Sequence, residues 1–284
     1  MAWFEFTICD VFTDRPLAGN QLAVFGEASD IDPRLLAGLA REVNFSETVF
    51  VYPPAEGGTA RVRIFTPGGE IPFAGHPVLG TAIVLGRARR LGEVVLETGR
   101  GAVPVRLTYQ GAHTASGWMR QPVPSVAAFD DARLLPALGV ERSELPVEVY
   151  DNGIRHVYVT LPEETAVAAL RPDFARLADL GPLGVNCVAG RGTAWKTRMF
   201  APALGVAEDP ATGSAAGPLA CHLVRHGRLA SGQEIVIAQG AEIGRPSRLL
   251  ARAELEGDHV ETVEVGGSAV VVGRGAFRGD LLAE

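Results

Sequence analysis

The chain has 284 residues, of which 47% are hydrophobic and 21% charged, and its formal net charge is −7 at pH 7. This length exceeds one ordinary core and predicts two domains of about 100–150 residues each. The negative charge and the lack of an arginine stripe argue against nucleic-acid binding, and no apolar run reaches the roughly 18 residues of a membrane span. No signal-peptide pattern opens the sequence, and three cysteines without metal-ligand spacing fit a reducing compartment, so a cytoplasmic protein is expected.

Strand patterns dominate the chain. Residues 3–11 and 21–25 alternate bulky and β-branched side chains, which is typical of strands. Asp32 followed by Pro33 predicts the start of a helix. Further strands are predicted at 44–51, 61–65, 94–98, 103–109, 116–119, 147–150, 156–161, 186–189 and 193–200 and through most of 235–277, with short helices at 130–138, 163–170 and 173–180.

Residues 74–85 predict a helix of a different kind. Small residues alternate with aliphatic ones on every side, and a helix that is apolar all round is a buried helix. Its first turn offers backbone N–H groups and partial positive charge, which suit a carboxylate or an oxyanion.

The same pattern returns at residues 213–223, and its flanks return with it. Residues 63–67 resemble 198–202, and residues 93–99 resemble 234–240. Two small-residue helices can look alike by chance, but the matching flanks on both sides favour an internal duplication.

The duplication predicts an α+β protein of two pseudo-symmetric lobes. Each lobe is expected to be a curved, mostly antiparallel sheet or barrel around one central apolar helix, with the two helix N-termini able to face one another. The N-terminal lobe is predicted at 1–125 and the C-terminal lobe at 126–284, with a last strand in 268–284 that can cross back to the first lobe.

Glu47 is the first candidate for chemistry, since it lies in an otherwise apolar strand. If its side chain points inward, loss of solvation raises its pKa towards the range of a general base. The strand pattern alone favours the solvent face instead. His76 lies in the first turn of the first apolar helix, where it can bind a carboxylate, relay a proton or simply cap the helix.

Asp209 is the third candidate. Glu208 and Asp209 directly precede the second apolar helix, whose first residues, Gly213 and Ser214, can bind an oxyanion. Ordinary N-capping is the alternative. Gln239 with Gly240 forms part of a polar patch, for which a surface turn is the default interpretation.

Metal and cofactor motifs are weak. His222 and His226 have a spacing that can bind a metal, but the nearby arginines and the missing third ligand favour a solvated helix end, so no metal site is predicted. Lys196 is the only lysine, which excludes a Walker-type phosphate loop and disfavours a lysine-bound pyridoxal cofactor.

Several motifs together resemble the phenazine-biosynthesis isomerase (PhzF-like) family within the diaminopimelate-epimerase-like fold. They span nearly the whole chain in the family's order. They are residues 10–12 with 19–20, 44–48, 75–76, 208–214, and 239–240 with 245–247.

The resemblance implies an active site between two lobes, commonly in a homodimer, without metal or organic cofactor. The general base of the family falls on Glu47, and other catalytic positions fall on His76, Asp209 and Ser214. Residues expected to bind the substrate are Asn20, Gly75, Gly213 and Ser214.

Epimerases of the wider fold use two cysteines on opposite faces of the substrate carbon, and those positions here are Ala74 and Thr212. A two-thiol racemase is therefore disfavoured. The leading hypothesis is a proton shift on a small carboxylate-bearing substrate, dihydro-hydroxyanthranilate-like or amino-acid-like. An epimerase that uses Glu47 and Asp209 as opposing bases and a non-catalytic small-molecule binder are the alternatives.

Overall fold

The computed structural model describes residues 3–111, 114–257 and 259–281. These form two units: the first takes the described residues up to Arg120 together with those from Gly266 onward, and the second is Gln121–Val265. Residues 121–125 thus belong to the second unit, and the return to the first begins at Gly266 rather than at 268. Among the described helices, none has both the length and the apolar character needed to cross a membrane.

The first unit is a barrel of eight strands around a central helix. Its own elements, in chain order, are β1 (Trp3–Val11), β2 (Asn20–Phe25), α1 (Leu36–Val43), β3 (Glu47–Tyr52), β4 (Ala60–Thr66), β5 (Gly69–Ile71), α2 (Gly75–Arg89), β6 (Glu93–Thr98), β7 (Gly101–Tyr109) and β8 (Thr114–Arg120).

Two parallel pairings set the order of this barrel. β2 pairs in parallel with β3 after α1, and β4 pairs in parallel with β6 after α2, while the other neighbours are antiparallel. The last strand, β17 (His259–Arg278), pairs with both β8 and β1 and closes the barrel. The barrel strands are β1–β4, β6–β8 and the end of β17, while β5 pairs, of the described strands, with β4 only.

Helix α2 forms the core of the first unit. Residues 75–83 are all buried, and the helix packs against β1, β2, β3, β6, β7 and β8. Gly80 permits this close packing, because a Cβ there would lie 2.7 Å from side-chain atoms of Leu22 and Val11. The predicted buried apolar helix is confirmed.

The second unit repeats the order of the first. Its elements are β9 (Ser125–Ala128), α3 (Leu134–Leu138), β10 (Glu148–Asp151), β11 (Arg155–Thr160), α4 (Glu164–Ala169), α5 (Phe174–Ala178), β12 (Gly184–Arg191), β13 (Ala194–Ala201), β14 (Val206–Asp209), α6 (Gly213–Arg225), β15 (Ile235–Gln239), β16 (Ser247–Glu256) and the first part of β17. β11 pairs in parallel with β12 after α4 and α5, and β13 pairs in parallel with β15 after α6. The predicted α+β class with two similar halves is confirmed.

The first turn of α6 is tied to its surroundings by side chains. Pro218 lies inside the helix and has no N–H to give to the carbonyl of Ser214. Asn152 Nδ2 donates to that carbonyl instead, at 2.9 Å. Gln121 Nε2 donates to Gly213 O at 2.9 Å, and the Tyr158 hydroxyl donates to Ala215 O at 2.6 Å. These bonds fix the direction of the helix start.

Candidate active site

Three predicted residues of the first unit meet at the start of α2. Asn20 opens β2, Glu47 opens β3, and His76 is the second residue of the helix. His76 Nδ1 lies 3.3 Å from Asn20 Nδ2 and 3.5 Å from Glu47 Oε2. The Ser46 hydroxyl donates to Asn20 Oδ1 at 2.9 Å, which directs the amide nitrogen of Asn20 at the imidazole. In a neutral ring this assigns the lone pair to Nδ1 and the hydrogen to Nε2.

The Glu47 carboxyl is largely removed from water, with a side chain 16% exposed. Burial raises its pKa from 4.5 to about 7, and the neighbouring Ser46 hydroxyl acts in the lowering direction. The expectation from the strand pattern, an exposed Glu47, is wrong, because α1 and α2 both pack on β3 and its interior residues are buried on both faces. A carboxylate with this pKa can take a proton near neutral pH.

The helix start is also suited to an anion. Gly75 is the first residue of α2, and Ala74 before it has no side-chain acceptor for the amides of the first turn. These amides and the positive end of the helix can bind a substrate carboxylate beside Glu47.

The loop before Asn20 is fixed by its backbone. Gly19 has φ +67°, and a Cβ there would lie 2.3 Å from Val11 O, so only glycine fits. Asp10 is buried, and its Oδ2 accepts from Leu17 N at 2.7 Å. The start of β2, and with it Asn20, is thereby fixed in place.

In the second unit, Asp209 lies at the end of β14, just before α6. The Thr212 hydroxyl donates to Asp209 Oδ2 at 2.5 Å. Gln239 closes the loop from its other side: its Nε2 donates to Asp209 O at 2.8 Å and to Thr212 Oγ1 at 2.9 Å, and its Oε1 accepts from Thr212 N at 3.1 Å. These hydrogen bonds fix Asp209 in the loop just before Gly213 and Ser214, the first residues of α6.

Gln239 and Glu208 differ from what the sequence predicted for this loop. Gln239 is 2% exposed, so the surface-turn interpretation is wrong; Gly240 beside it has no room for a Cβ, which would lie 2.5 Å from Pro210 O. Glu208 of β14 forms a bidentate ion pair with Arg198 of β13, at 2.9 and 2.8 Å, and so links the two strands. Of the two adjacent carboxylates, only Asp209 therefore faces the helix start.

His156 is a residue that the sequence analysis did not select. Its Nε2 lies 3.0 Å from Ser214 Oγ, its Nδ1 faces Asn186 Nδ2 at 3.5 Å, and the ring is fully buried. Burial lowers the pKa of His156 to about 3, so the imidazole is neutral at physiological pH. The sequence feature that could have identified His156 is a single histidine within the apolar strand pattern of β11.

The three cysteines, Cys9, Cys187 and Cys221, are free and buried. Burial raises the pKa of Cys187 and Cys221 to about 12 and that of Cys9 higher still, so none forms a thiolate at neutral pH. Ala74 and Thr212 each directly precede a central helix. A two-thiol mechanism therefore has no residues to carry it.

One cluster of the described residues has the donor set of a metal site. Glu148, His222 and His226 place one ligand atom each within 4.8 Å of the others. The expectation of a solvated helix end is wrong for His222, whose ring is fully buried and stacks on Tyr158.

Comparisons with known proteins identify the family of the chain. Residues 9–275 match the family described as phenazine biosynthesis-like protein (PhzC-PhzF). The chain belongs to this family. A trans-2,3-dihydro-3-hydroxyanthranilate isomerase from Pseudomonas fluorescens is 49% identical over 274 residues, which are 96% of this chain and 99% of the relative.

Solved structures show the same fold. A PhzF-family protein from Bacillus anthracis aligns with a TM-score of 0.85 at 23% identity, over 98% of this chain and 100% of that one. A protein described as a predicted epimerase from Pseudomonas aeruginosa aligns with a TM-score of 0.83 at 32% identity, over 96% of this chain and 98% of that one. The PhzF-like protein is an isomerase with a diaminopimelate-epimerase-like fold.

Proposed function

We propose that this isomerase shifts a proton, and with it a double bond, within a small ring that bears a carboxylate and an amine, such as trans-2,3-dihydro-3-hydroxyanthranilate. The relative with 49% identity carries that substrate in its name. The observation that carries the proposal is the largely buried Glu47 beside His76 at the start of α2, with a pKa near 7.

Glu47 is the proposed general base. Its carboxylate takes a proton from one ring carbon, the electron pair of that C–H bond moves into the ring, and a proton is returned at another carbon. The lone pair of His76 Nδ1, 3.5 Å from Glu47 Oε2, accepts the proton from the Glu47 carboxyl, and His76 then relays or donates the returning proton. The amides at Gly75 bind the substrate carboxylate, and Asn20 positions His76. These groups supply the acid–base chemistry of the step, so the proposal assigns no cofactor.

Asp209 and Ser214 are proposed to bind polar groups of the substrate. Because His156 is neutral and its Nδ1 faces the amide nitrogen of Asn186, its hydrogen lies on Nε2 and is donated to Ser214 Oγ. The serine hydroxyl then keeps its own hydrogen for a substrate oxygen. Asp209, whose position is set by Thr212 and Gln239, serves as an acid or orients the substrate amine.

The test is turnover of trans-2,3-dihydro-3-hydroxyanthranilate in deuterium oxide. We expect a product with a shifted double bond and one deuterium on the carbon that receives the proton, and loss of both in Glu47→Gln. Retained exchange in Glu47→Gln would remove Glu47 from the role of base.

An epimerase is the second candidate, because a similar structure at 32% identity is described as a predicted epimerase. Inversion at one carbon with no migration of a double bond would favour it. Tight binding of a carboxylate ligand without turnover of any would indicate a non-catalytic homologue instead. The homodimer implied by the family, tested by light scattering, and the cytoplasmic location remain part of the proposal.

A further inference from the structure

A second polar cluster lies at the far end of α6. His222 is in the last turn of that helix, His226 follows it, and Glu148 and Tyr150 belong to β10. His222 follows Ser214 by about two helical turns, roughly 12 Å along the axis. The cluster is therefore separate from the residues assigned to the isomerase reaction in this unit.

Several donor-atom separations in this cluster are close to those of a tetrahedral metal site, and the ligand atoms of Glu148, His222 and His226 all lie within 4.8 Å of one another. Glu148 Oε2 lies 3.3 Å from His222 Nδ1, 2.9 Å from His226 Nε2 and 2.8 Å from the Tyr150 hydroxyl. That hydroxyl is also 3.3 Å from His222 Nδ1. Ligand atoms about 2.0–2.1 Å from a tetrahedral Zn²⁺ lie about 3.3–3.4 Å from one another. An ion therefore requires only small outward shifts of these side chains.

The rings are held in place before any ion binds. His222 is fully buried, stacks on Tyr158 at 5.5 Å between ring centroids, and meets the Tyr150 ring edge-on at 5.7 Å. The side chains of His226 and Glu148 are 18% and 14% exposed. The exposed side of the cluster gives an ion a route from solvent to a preformed set of ligands.

The electrostatics of the cluster have two opposing parts. The C-terminal end of a helix carries partial negative charge, and with the Glu148 carboxylate it attracts a cation. The positive charge of Arg225, whose Nη2 lies 3.9 Å from Glu148 Oε1, opposes the binding of a cation. We therefore expect an affinity in the micromolar rather than the nanomolar range.

We propose that Glu148, His222 and His226 bind one divalent transition-metal ion of the zinc class, with Tyr150 or a water as fourth ligand. Two imidazoles and a single carboxylate favour Zn²⁺ or Co²⁺ over Mg²⁺ and Ca²⁺, which prefer oxygen ligands. The ion replaces the hydrogen bonds of the cluster and joins β10 to the end of α6. It takes no part in the isomerase reaction.

The test is titration of the full-length protein, after treatment with chelator, with Co²⁺ and then with Zn²⁺. We expect one Co²⁺ per chain with the visible absorption of a four-coordinate site, displacement by Zn²⁺, and a rise in Tm of several degrees that Mg²⁺ does not produce. His226→Ala and Glu148→Gln should each weaken Co²⁺ binding by about 100-fold or more. His222 is left unchanged because it belongs to the core.

His259→Ala is the matched control, since His259 is an exposed histidine 3.5 Å from Glu261. It should bind Co²⁺ as the wild type does. The proposal is overturned if the wild type shows no saturable uptake at micromolar Co²⁺ or Zn²⁺, or if His226→Ala binds Co²⁺ as tightly as the wild type. Circular dichroism confirms that each variant is folded, and kcat/KM of His226→Ala should stay within twofold of the wild type.

Discussion

The two units place different side chains on one backbone arrangement. Glu47 opens β3, which pairs in parallel with β2, and Gly184 opens β12, which pairs in the same way with β11. The first unit therefore has a largely buried carboxyl where the second has none. The space beside Gly184 is filled by the ring of His156, whose Nδ1 lies 2.7 Å from the position that a Cβ would take.

The second residue of each central helix also differs. In α2 it is His76, which contacts Glu47, and in α6 it is Ser214, which contacts His156. In the second unit the candidate base is Asp209, and Oδ2 of that carboxylate already accepts a hydrogen bond from the Thr212 hydroxyl. A two-base epimerase needs a base on each side of its substrate carbon. The difference between the units favours one base and a shift of the proton to another carbon.

The largest effects are expected when one carboxylate in each unit is neutralised. Glu47→Gln should lower kcat/KM by about 10³-fold, because it removes the proposed general base. Asp209→Asn should cost about 10²-fold, since an amide oxygen still accepts from Thr212. Steady-state kinetics measures both, with Glu93→Gln on the exposed start of β6 as the control. A larger loss in Asp209→Asn than in Glu47→Gln would reverse the assignment of the base.

A methyl group at Gly184 tests the space that His156 fills. Gly184→Ala should lower the free energy of unfolding by about 1–3 kcal/mol, because the new Cβ would lie too close to the buried ring. Gly26→Ala is the control, since no atom lies within 4 Å of a Cβ at that position. Urea denaturation followed by fluorescence measures the free energy of unfolding of both variants. If Gly184→Ala were as stable as Gly26→Ala, the ring of His156 would not fill the space beside residue 184.

Removing the imidazole of His156 tests its effect on Ser214. His156→Phe should lower kcat/KM by about tenfold, the value of one oriented hydrogen bond. His156 is neutral across the assayed range, so the loss should be the same at every pH between 6 and 9. His156→Gln, which can still donate to Ser214 Oγ, should recover most of the rate. A loss that varies with pH would mean that His156 itself exchanges protons during the reaction.

The smallest effect is expected at Ser46, whose hydroxyl donates to Asn20 Oδ1 and lowers the pKa of the neighbouring Glu47. Ser46→Ala removes this hydroxyl, so the pKa of Glu47 rises and less of the carboxylate is ionised at a given pH. The rise of kcat/KM with pH should move to higher pH, with a several-fold loss at pH 6 and little change at pH 9. Ser125→Ala on the exposed β9 should leave the profile unchanged, and a shift to lower pH in Ser46→Ala would contradict the account.

Much of the fold could be predicted because the two apolar helices have a local signature. Alternating small and aliphatic residues in 75–83 specify a helix buried on all sides, and the matching flanks identify the repeat. The parallel pairing of β4 with β6 and of β13 with β15 could not be read from the sequence. It depends on contacts made after a helix crosses back along the sheet.

The site could be predicted only in part, because it too depends on contacts between distant parts of the chain. Strand alternation favoured an exposed Glu47, since it does not report that α1 and α2 cover both faces of β3. The contact of His76 with Asn20 joins residues 56 positions apart, and that of His156 with Ser214 joins residues 58 positions apart. The arginines near His222 in the sequence favoured a solvent-exposed ring, whereas Tyr150 of β10 and Tyr158 of β11 pack against that ring in the structure.

The most direct test of the central claim needs no substrate. In protein labelled with ¹³C at the glutamate side-chain carboxyls, the resonance that is missing from Glu47→Gln belongs to Glu47, and its titration reports the pKa of that group. The midpoint should lie near pH 7, because burial raises the pKa of Glu47. A midpoint near the ordinary value of 4.5 would show a solvated carboxylate and contradict the assignment of Glu47 as the base.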